Sequence, residues 1–155
     1  MPDSSTPDFC RVFSVVGDRY TFLFTAEQTD GAYAVFEFFV PPGNGSPPHI
    51  HEREDEAFYV VAGEFEFTVA GQPLRVGPGQ LVFGKRGVSH NFKNVGSIPG
   101  KMIVTVTPAG LENFFAEVGT PLASYKDAPL TPSPEDIARL KHAGPKYGIE
   151  LIEPH

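Results

Sequence analysis

Between residues 9 and 108 the sequence repeats one pattern, in which a short apolar run is followed by glycine, proline or a pairing of glycine with aspartate. In chain order the runs read CRVFSVV, RYTFLFTAE, AYAVFEFFV, EAFYVVA, EFEFTVA, QLVF, HNFKN and KMIVTVTP. Runs of this length, closely spaced and separated by turn residues, are typical of β-strands. The pattern therefore predicts an all-β domain, built either as a sandwich or as a small barrel.

Alternation within single runs predicts which face of a strand is buried, because successive residues of a strand point to opposite faces. The apolar face of EFEFTVA carries Phe65, Phe67 and Val69. We expect this strand to form a hairpin with EAFYVVA, with Gly63 at the turn. In AYAVFEFFV the inward face is expected to comprise Ala34, Phe36, Phe38 and Val40.

The pattern changes after residue 108, where apolar residues recur at helical spacing in GLENFFAEVG and again in SPEDIARLKHAG. The second helix is expected to begin with Ser133 as N-cap and Pro134 at its first position. We therefore expect three parts: a loose tail at residues 1–8, a β-barrel at residues 9–108, and a helical extension packed on the barrel at residues 109–155.

Charge and apolar patterning exclude several classes of partner. The net charge is −7 and no basic run is present, which argues against nucleic acid and against an anionic membrane surface. No apolar run approaches the roughly 20 residues needed to span a bilayer. The start of the chain lacks the apolar core of a signal peptide, and the single cysteine, Cys10, permits no internal disulfide. We expect a cytoplasmic protein.

Three of the five histidines lie within the strand region, and two of them are one residue apart in PPHIHEREDEAFYVVAG. In an extended segment His49 and His51 project from the same face, where paired imidazoles suit a transition metal. Glu56 joins that face only if a turn intervenes, and such a turn would also give it an apolar setting beside Phe58 and Val60. The intervening acidic residues are expected to be solvated: Glu52, Glu54 and Asp55. The alternative is that the whole segment is a charged surface loop.

A second segment, GPGQLVFGKRGVSHNFKN, adds a third histidine, and together the two segments resemble the paired motifs of the cupin family. The first cupin motif is matched at every position by Gly43, His49, His51, Glu56 and Gly63. The second motif is matched at Gly79, Gly87, His90 and Asn94. Lys85 stands where that motif has proline, and this is the one departure.

The resemblance implies a double-stranded β-helix, that is, a jelly-roll barrel, with one divalent transition metal in its mouth: Fe, Mn, Ni, Cu, Co or Zn. By resemblance the metal ligands are His49, His51, Glu56 and His90. Three imidazoles and one carboxylate leave coordination positions open for a substrate. Glu56 is also the candidate catalytic base. The substrate pocket is expected to be lined by Phe36, Phe38, Phe58, Val60 and Phe92.

Within the cupins the chain looks most like the quercetin 2,3-dioxygenase-like group. This implies an oxidoreductase that uses dioxygen to cleave a flavonol-like or other aromatic or enol substrate chelated to the metal. Two alternatives stay open: a metal-dependent isomerase or epimerase of a sugar or keto acid, and a non-catalytic cupin that binds a small molecule. The resemblance also implies a homodimer.

Overall fold

The computed structural model describes residues 11–152 and contains two antiparallel sheets with three helices. The strands are β1 (Val12–Val15), β2 (Asp18–Phe24), β3 (Ala34–Val40), β4 (His49–His51), β5 (Asp55–Ala62), β6 (Phe65–Val69), β7 (Gln72–Val76), β8 (Leu81–Gly84), β9 (His90–Asn94), β10 (Gly100–Thr107), β11 (Thr120–Pro121) and β12 (Ile149–Leu151). The helices are α1 (Ala26–Thr29), α2 (Leu111–Val118) and α3 (Pro134–Ala143), with a 3-10 turn at Gly144–Tyr147.

The larger sheet has the order β11-β1-β2-β3-β10-β5-β8, and the smaller sheet has the order β12-β4-β9-β6-β7. This arrangement confirms the all-β prediction and is consistent with a double-stranded β-helix. All of the strand pairs in the described residues are antiparallel, and most of them join strands that are not consecutive in the chain, such as β3 with β10 and β4 with β12. The barrel is therefore held by long-range pairing, and distant segments meet at its mouth.

Phenylalanine side chains fill the space between the two sheets. The predicted inward residues of β3 are all buried, because the alternation places them on the face that meets the other sheet. Phe38 stacks on Phe92 of the smaller sheet at 6.1 Å between ring centroids, and Phe58 meets Phe67 at 5.1 Å. Burial of one such ring stabilises the fold by about 2 kcal/mol. Aromatic packing thus joins the sheets directly beneath the barrel mouth.

The predicted hairpin between β5 and β6 is wrong. The structure pairs β5 with β10 and β8, whereas β6 pairs with β7 and β9 in the other sheet. The chain crosses between the sheets at Gly63, which has φ of 90°, and a Cβ there would lie 2.8 Å from the Cα of Gly100. Alternation fixes which face of a strand is buried, but it does not fix which strand lies beside it.

The two long helices lie where the sequence predicts them. Ser133 and Asp136 form a reciprocal capping box at the start of α3, with Pro134 in the first turn. The apolar stripe of α2 is buried as expected, because it packs on the barrel: Leu111, Phe114, Phe115 and Val118. Within residues 11–152, no helix has the length and apolar character needed to cross a membrane.

The segment after residue 108 also adds a strand to each sheet, which the helical prediction did not include. β11 pairs with β1, and β12 pairs with β4, the strand that carries the two closely spaced histidines. Division of the chain at residue 108 stays a prediction. The predicted tail at residues 1–8 and Cys10 lie outside the described residues.

Candidate metal centre

Four side chains from three strands converge at the barrel mouth. β4 supplies His49 and His51, and β9 supplies His90, whose backbone is paired with that of His49. Glu56 comes from β5 in the opposing sheet, after the chain turns at residues 52–54. The predicted turn between His51 and Glu56 is therefore present, and it brings the carboxylate to the same side as the histidines.

The four residues each offer a ligand atom, and these atoms all lie within 4.8 Å of one another. Glu56 Oε1 is 2.7 Å from His51 Nε2 and 3.1 Å from His90 Nε2. Three of the four side chains are buried and His49 is half-buried. The alternative of a solvated surface loop does not fit this degree of burial.

A backbone contact fixes the orientation of His49. Its Nδ1 lies 2.7 Å from the carbonyl oxygen of Pro47, which can only accept a hydrogen bond. Nδ1 therefore carries the proton, and Nε2 keeps a free lone pair. A histidine that binds a metal is commonly held in this way by a hydrogen bond at its second ring nitrogen.

The charges within the cluster are strongly coupled. Burial acts to raise the pKa of the Glu56 carboxyl, but His51 and His90 outweigh burial and hold this pKa well below its usual range. Burial acts to lower the pKa of His51, yet the carboxylates of Glu56 and Glu54 raise it to about 10. Burial lowers the pKa of His49 to about 3, assisted by repulsion from His51 and His90. Without a metal, the centre therefore holds an imidazolium paired with a carboxylate.

These donors fit a first-row divalent metal. Imidazole nitrogen and carboxylate oxygen are the ligands that such ions accept in proteins, and a cation would take over the charge balance that the proton on His51 provides. Four protein ligands would leave open positions in a five- or six-coordinate sphere. Such a metal would supply Lewis acidity and, where it is redox-active, chemistry with dioxygen.

The acidic residues between the histidines and Glu56 do not share one environment. Glu52 is exposed, as predicted. Asp55 is partly buried and forms an ion pair with Arg86 at 3.1 Å. The prediction that Glu54 is solvated is wrong, because its side chain is buried beside His51, with Glu54 Oε1 3.6 Å from His51 Nδ1. Glu54 is the last residue of the turn, directly before β5 re-enters the barrel, and its side chain lies on the buried side.

The remaining motif residues have structural surroundings. Asn94 is buried and its Nδ2 donates to the carbonyl oxygens of Val40 and Ile98, each at 2.9 Å. It therefore ties β9 to β3 across the two sheets. Lys85 is exposed, and its carbonyl oxygen accepts a hydrogen bond from the amide of Val88 at 3.1 Å. This bond closes the turn without the proline that the motif usually carries.

A narrow cavity of about 60 Å³ adjoins the cluster. Its wall includes three of the predicted pocket residues, namely Phe38, Phe58 and Phe92, together with His49, His51 and Glu56. Phe36 and Val60 are fully buried in the core and do not line this cavity. The rest of the wall was not predicted from the sequence. It comes mainly from β1, β2 and the segment after residue 108: Val15, Val16, Tyr20, Phe114, Phe115, Leu140, Ile149 and Leu151.

Tyr20 places a polar group on this apolar wall. Its ring stacks on Phe38 at 3.7 Å between centroids, and its hydroxyl donates to Asp18 Oδ2 at 3.4 Å. Burial raises the pKa of Asp18 to about 8, although hydrogen bonds from Asn44 and Tyr20 lower it in part. At neutral pH this carboxyl is therefore largely protonated and adds little negative charge behind Tyr20.

The two antiparallel sheets thus form a jelly roll with a candidate metal site at its mouth, where three histidines and one glutamate converge. Residues 36–106 match the model of the Cupin domain family. The matched region carries all four candidate ligands, and this part of the chain is similar to cupin domains.

Curated relatives share this region. "Protein SchB" of Streptomyces halstedii is 34% identical over 86 residues, which cover 54% of this chain and 59% of the relative. Quercetin 2,3-dioxygenase of Aspergillus japonicus is 27% identical over 133 residues, covering 81% of this chain and 38% of the relative. The chain thus spans about half the length of these curated relatives.

Among solved structures, KdgF from Halomonas sp. superposes with a TM-score of 0.57 at 22% identity. The match covers 63% of this chain and 84% of that protein. At this level of identity the likeness shows the shared fold alone.

Proposed function

We propose that this cupin-like protein binds one divalent transition metal through His49, His51, Glu56 and His90 and uses it to oxidise a small enol or aromatic substrate with dioxygen. The observation that carries the proposal is the buried cluster of three imidazoles and one carboxylate at the end of an apolar cavity. Burial of so many polar groups is costly unless they are paired or bind a metal. A homodimer, implied by the family resemblance, stays a prediction.

The cavity favours a neutral, largely apolar substrate. Its walls are mainly aromatic and aliphatic, and within residues 11–152 no lysine or arginine lines it. An anionic substrate such as a sugar phosphate or a keto acid would therefore have the metal as its main counter-charge. A volume of about 60 Å³ also favours a compact substrate, because binding pockets for drug-sized ligands are typically several hundred Å³.

Glu56 is proposed as the catalytic base. Its pKa lies well below its usual range, so the side chain is ionised at neutral pH and can accept a hydrogen bond from the hydroxyl of an enol at the mouth. Proton transfer to so weak a base would need a more acidic hydroxyl, and a bound metal would supply that acidity. The aromatic wall, with Phe38, Phe58 and Phe92, would hold the apolar part of the substrate and exclude water. In the proposed oxidative cleavage both oxygen atoms enter the products and the substrate supplies all four electrons, so no external reductant is needed.

Similarity to quercetin 2,3-dioxygenase, which extends over 81% of this chain at 27% identity, supports this reaction class. A sugar isomerase or epimerase would need polar side chains along the cavity for the sugar hydroxyls, and the wall offers few.

Oxygen uptake tests the proposed reaction. Chelator-treated protein is reloaded with Fe²⁺, Mn²⁺, Co²⁺, Ni²⁺, Cu²⁺ or Zn²⁺ and mixed with small enediols, catechols and flavonols in an oxygen electrode. We expect uptake with at least one redox-active metal, more with compact substrates than with flavonols, and none with Zn²⁺. The matched control is the same metal and substrate without protein. Stoichiometric metal binding without uptake for any pair would contradict the dioxygenase and favour the isomerase or binding function.

A further inference from the structure

Two buried polar atoms beside the cluster face each other without a partner. His51 Nδ1 and Glu54 Oε1 are 3.6 Å apart, and both side chains are almost fully buried. Neither atom has a hydrogen-bond partner among the described residues. Because an unpartnered carboxylate oxygen is costly to bury, this placement calls for an explanation.

The ring of His51 has two nitrogens with different surroundings. Nε2 points into the cluster, 2.7 Å from Glu56 Oε1. Nδ1 points away from the cluster, toward Glu54. If Nε2 gives its lone pair to a metal, the neutral ring must carry its proton on Nδ1. A shift of about 0.6 Å would then bring the N–H within hydrogen-bond distance of the Glu54 carboxylate.

We propose that Glu54 is a positioning residue, which accepts a hydrogen bond from His51 Nδ1–H and so fixes the ring with Nε2 toward the metal. The proposal rests on the metal site of the proposed function. His49 is held in the same way by an uncharged acceptor, because the carbonyl oxygen of Pro47 accepts a hydrogen bond from its Nδ1–H. Glu54 adds a negative charge, which makes His51 a stronger electron donor than His49.

The first test compares metal affinity in two matched variants. Glu54→Gln removes the charge at nearly constant shape. Glu52→Gln makes the same chemical change two residues away, on an exposed side chain. Competitive titration of Zn²⁺ against a chelator is expected to show affinity weakened about 10- to 100-fold in Glu54→Gln and unchanged within twofold in Glu52→Gln. Equal affinities for the two variants would overturn the proposal.

The second test uses the wild-type protein, so it stands even if Glu54→Gln fails to fold. In the Zn²⁺-loaded protein labelled with ¹⁵N-histidine, His51 is expected to show a protonated Nδ1 whose proton is shifted downfield and exchanges slowly with water. A His51 that binds Zn²⁺ through Nδ1, or an Nδ1 proton that exchanges freely, would overturn the proposal.

The outcomes separate this proposal from the metal site on which it rests. Absence of Zn²⁺ binding in the wild type would contradict the metal site itself. Normal Zn²⁺ affinity in Glu54→Gln, with a lower midpoint of thermal unfolding in the metal-free protein, would assign Glu54 a structural role only and contradict its positioning role.

Discussion

Glu56→Gln is expected to weaken metal binding by at least 100-fold and to destabilise the metal-free protein by about 3 kcal/mol at pH 7. The carboxylate lies between His51 and His90, and its charge is the main reason that the pKa of His51 rises to about 10. Without the carboxylate the pKa of His51 falls, so the buried ring gives up its proton and the stabilising pair is lost. Urea denaturation with EDTA present measures the stability change, and titration with Zn²⁺ measures the affinity change.

The sign of the pH dependence gives an additional check. Because the folded-state pKa of His51 lies above its usual value of 6.5, its pairing with Glu56 stabilises the metal-free protein fully below about pH 6 and fades toward pH 10. The deficit of Glu56→Gln should therefore shrink at high pH. The control is Glu64→Gln, at an exposed glutamate. A deficit no larger than that of this control would contradict the proposed pairing.

Gly45→Ala is expected to destabilise the fold by about 3 kcal/mol, because the position has no room for a side chain. A Cβ at Gly45 would overlap the carbonyl oxygen of Phe92 and the Cα of Lys93, and both are backbone atoms. Gly45 pairs with Lys93 in an isolated bridge beside β9, the strand that carries His90. The substitution should therefore also loosen the His49–His90 pair and weaken metal binding. Urea denaturation and Zn²⁺ titration measure the two effects.

Gly79→Ala is the matched control for Gly45→Ala. Gly79 has φ of 85°, and a Cβ at this position would have no neighbouring side chain or backbone within 4 Å. Alanine there would therefore strain the backbone without any steric overlap. A loss of about 1 kcal/mol is expected, with no change in metal affinity. If Gly45→Ala were no more destabilising than Gly79→Ala, the close approach of the β9 backbone would not be the reason that glycine occupies position 45.

Local patterns in the sequence predict the parts of the fold that depend on neighbouring residues. Alternation in β3 predicts its buried face, and the capping pattern at Ser133 predicts the start of α3. The spacing of His49, His51 and Glu56, together with the second motif around His90, predicts the cluster that the structure brings together.

Features that depend on long-range pairing could not be predicted from these patterns. The sequence does not reveal that β5 and β6 lie in different sheets, because alternation looks the same for either partner. Ile149 and Leu151 reach the cavity only because β12 pairs with the histidine strand from nearly a hundred residues away. The burial of Glu54 depends on a turn whose path is set by its neighbours in space, so its charge alone suggests a solvated residue.

Metal stoichiometry tests the central claim most directly. Wild-type protein, His49→Ala and His142→Ala are each stripped with a chelator, loaded with Zn²⁺, passed through a desalting column and analysed for metal. His142 is an exposed histidine on α3, so its replacement controls for adventitious binding. We predict one metal ion per chain in the wild type and in His142→Ala, and much less than one in His49→Ala. Equal metal content in all three proteins, or none in the wild type, would contradict the assignment of this cluster as a metal centre.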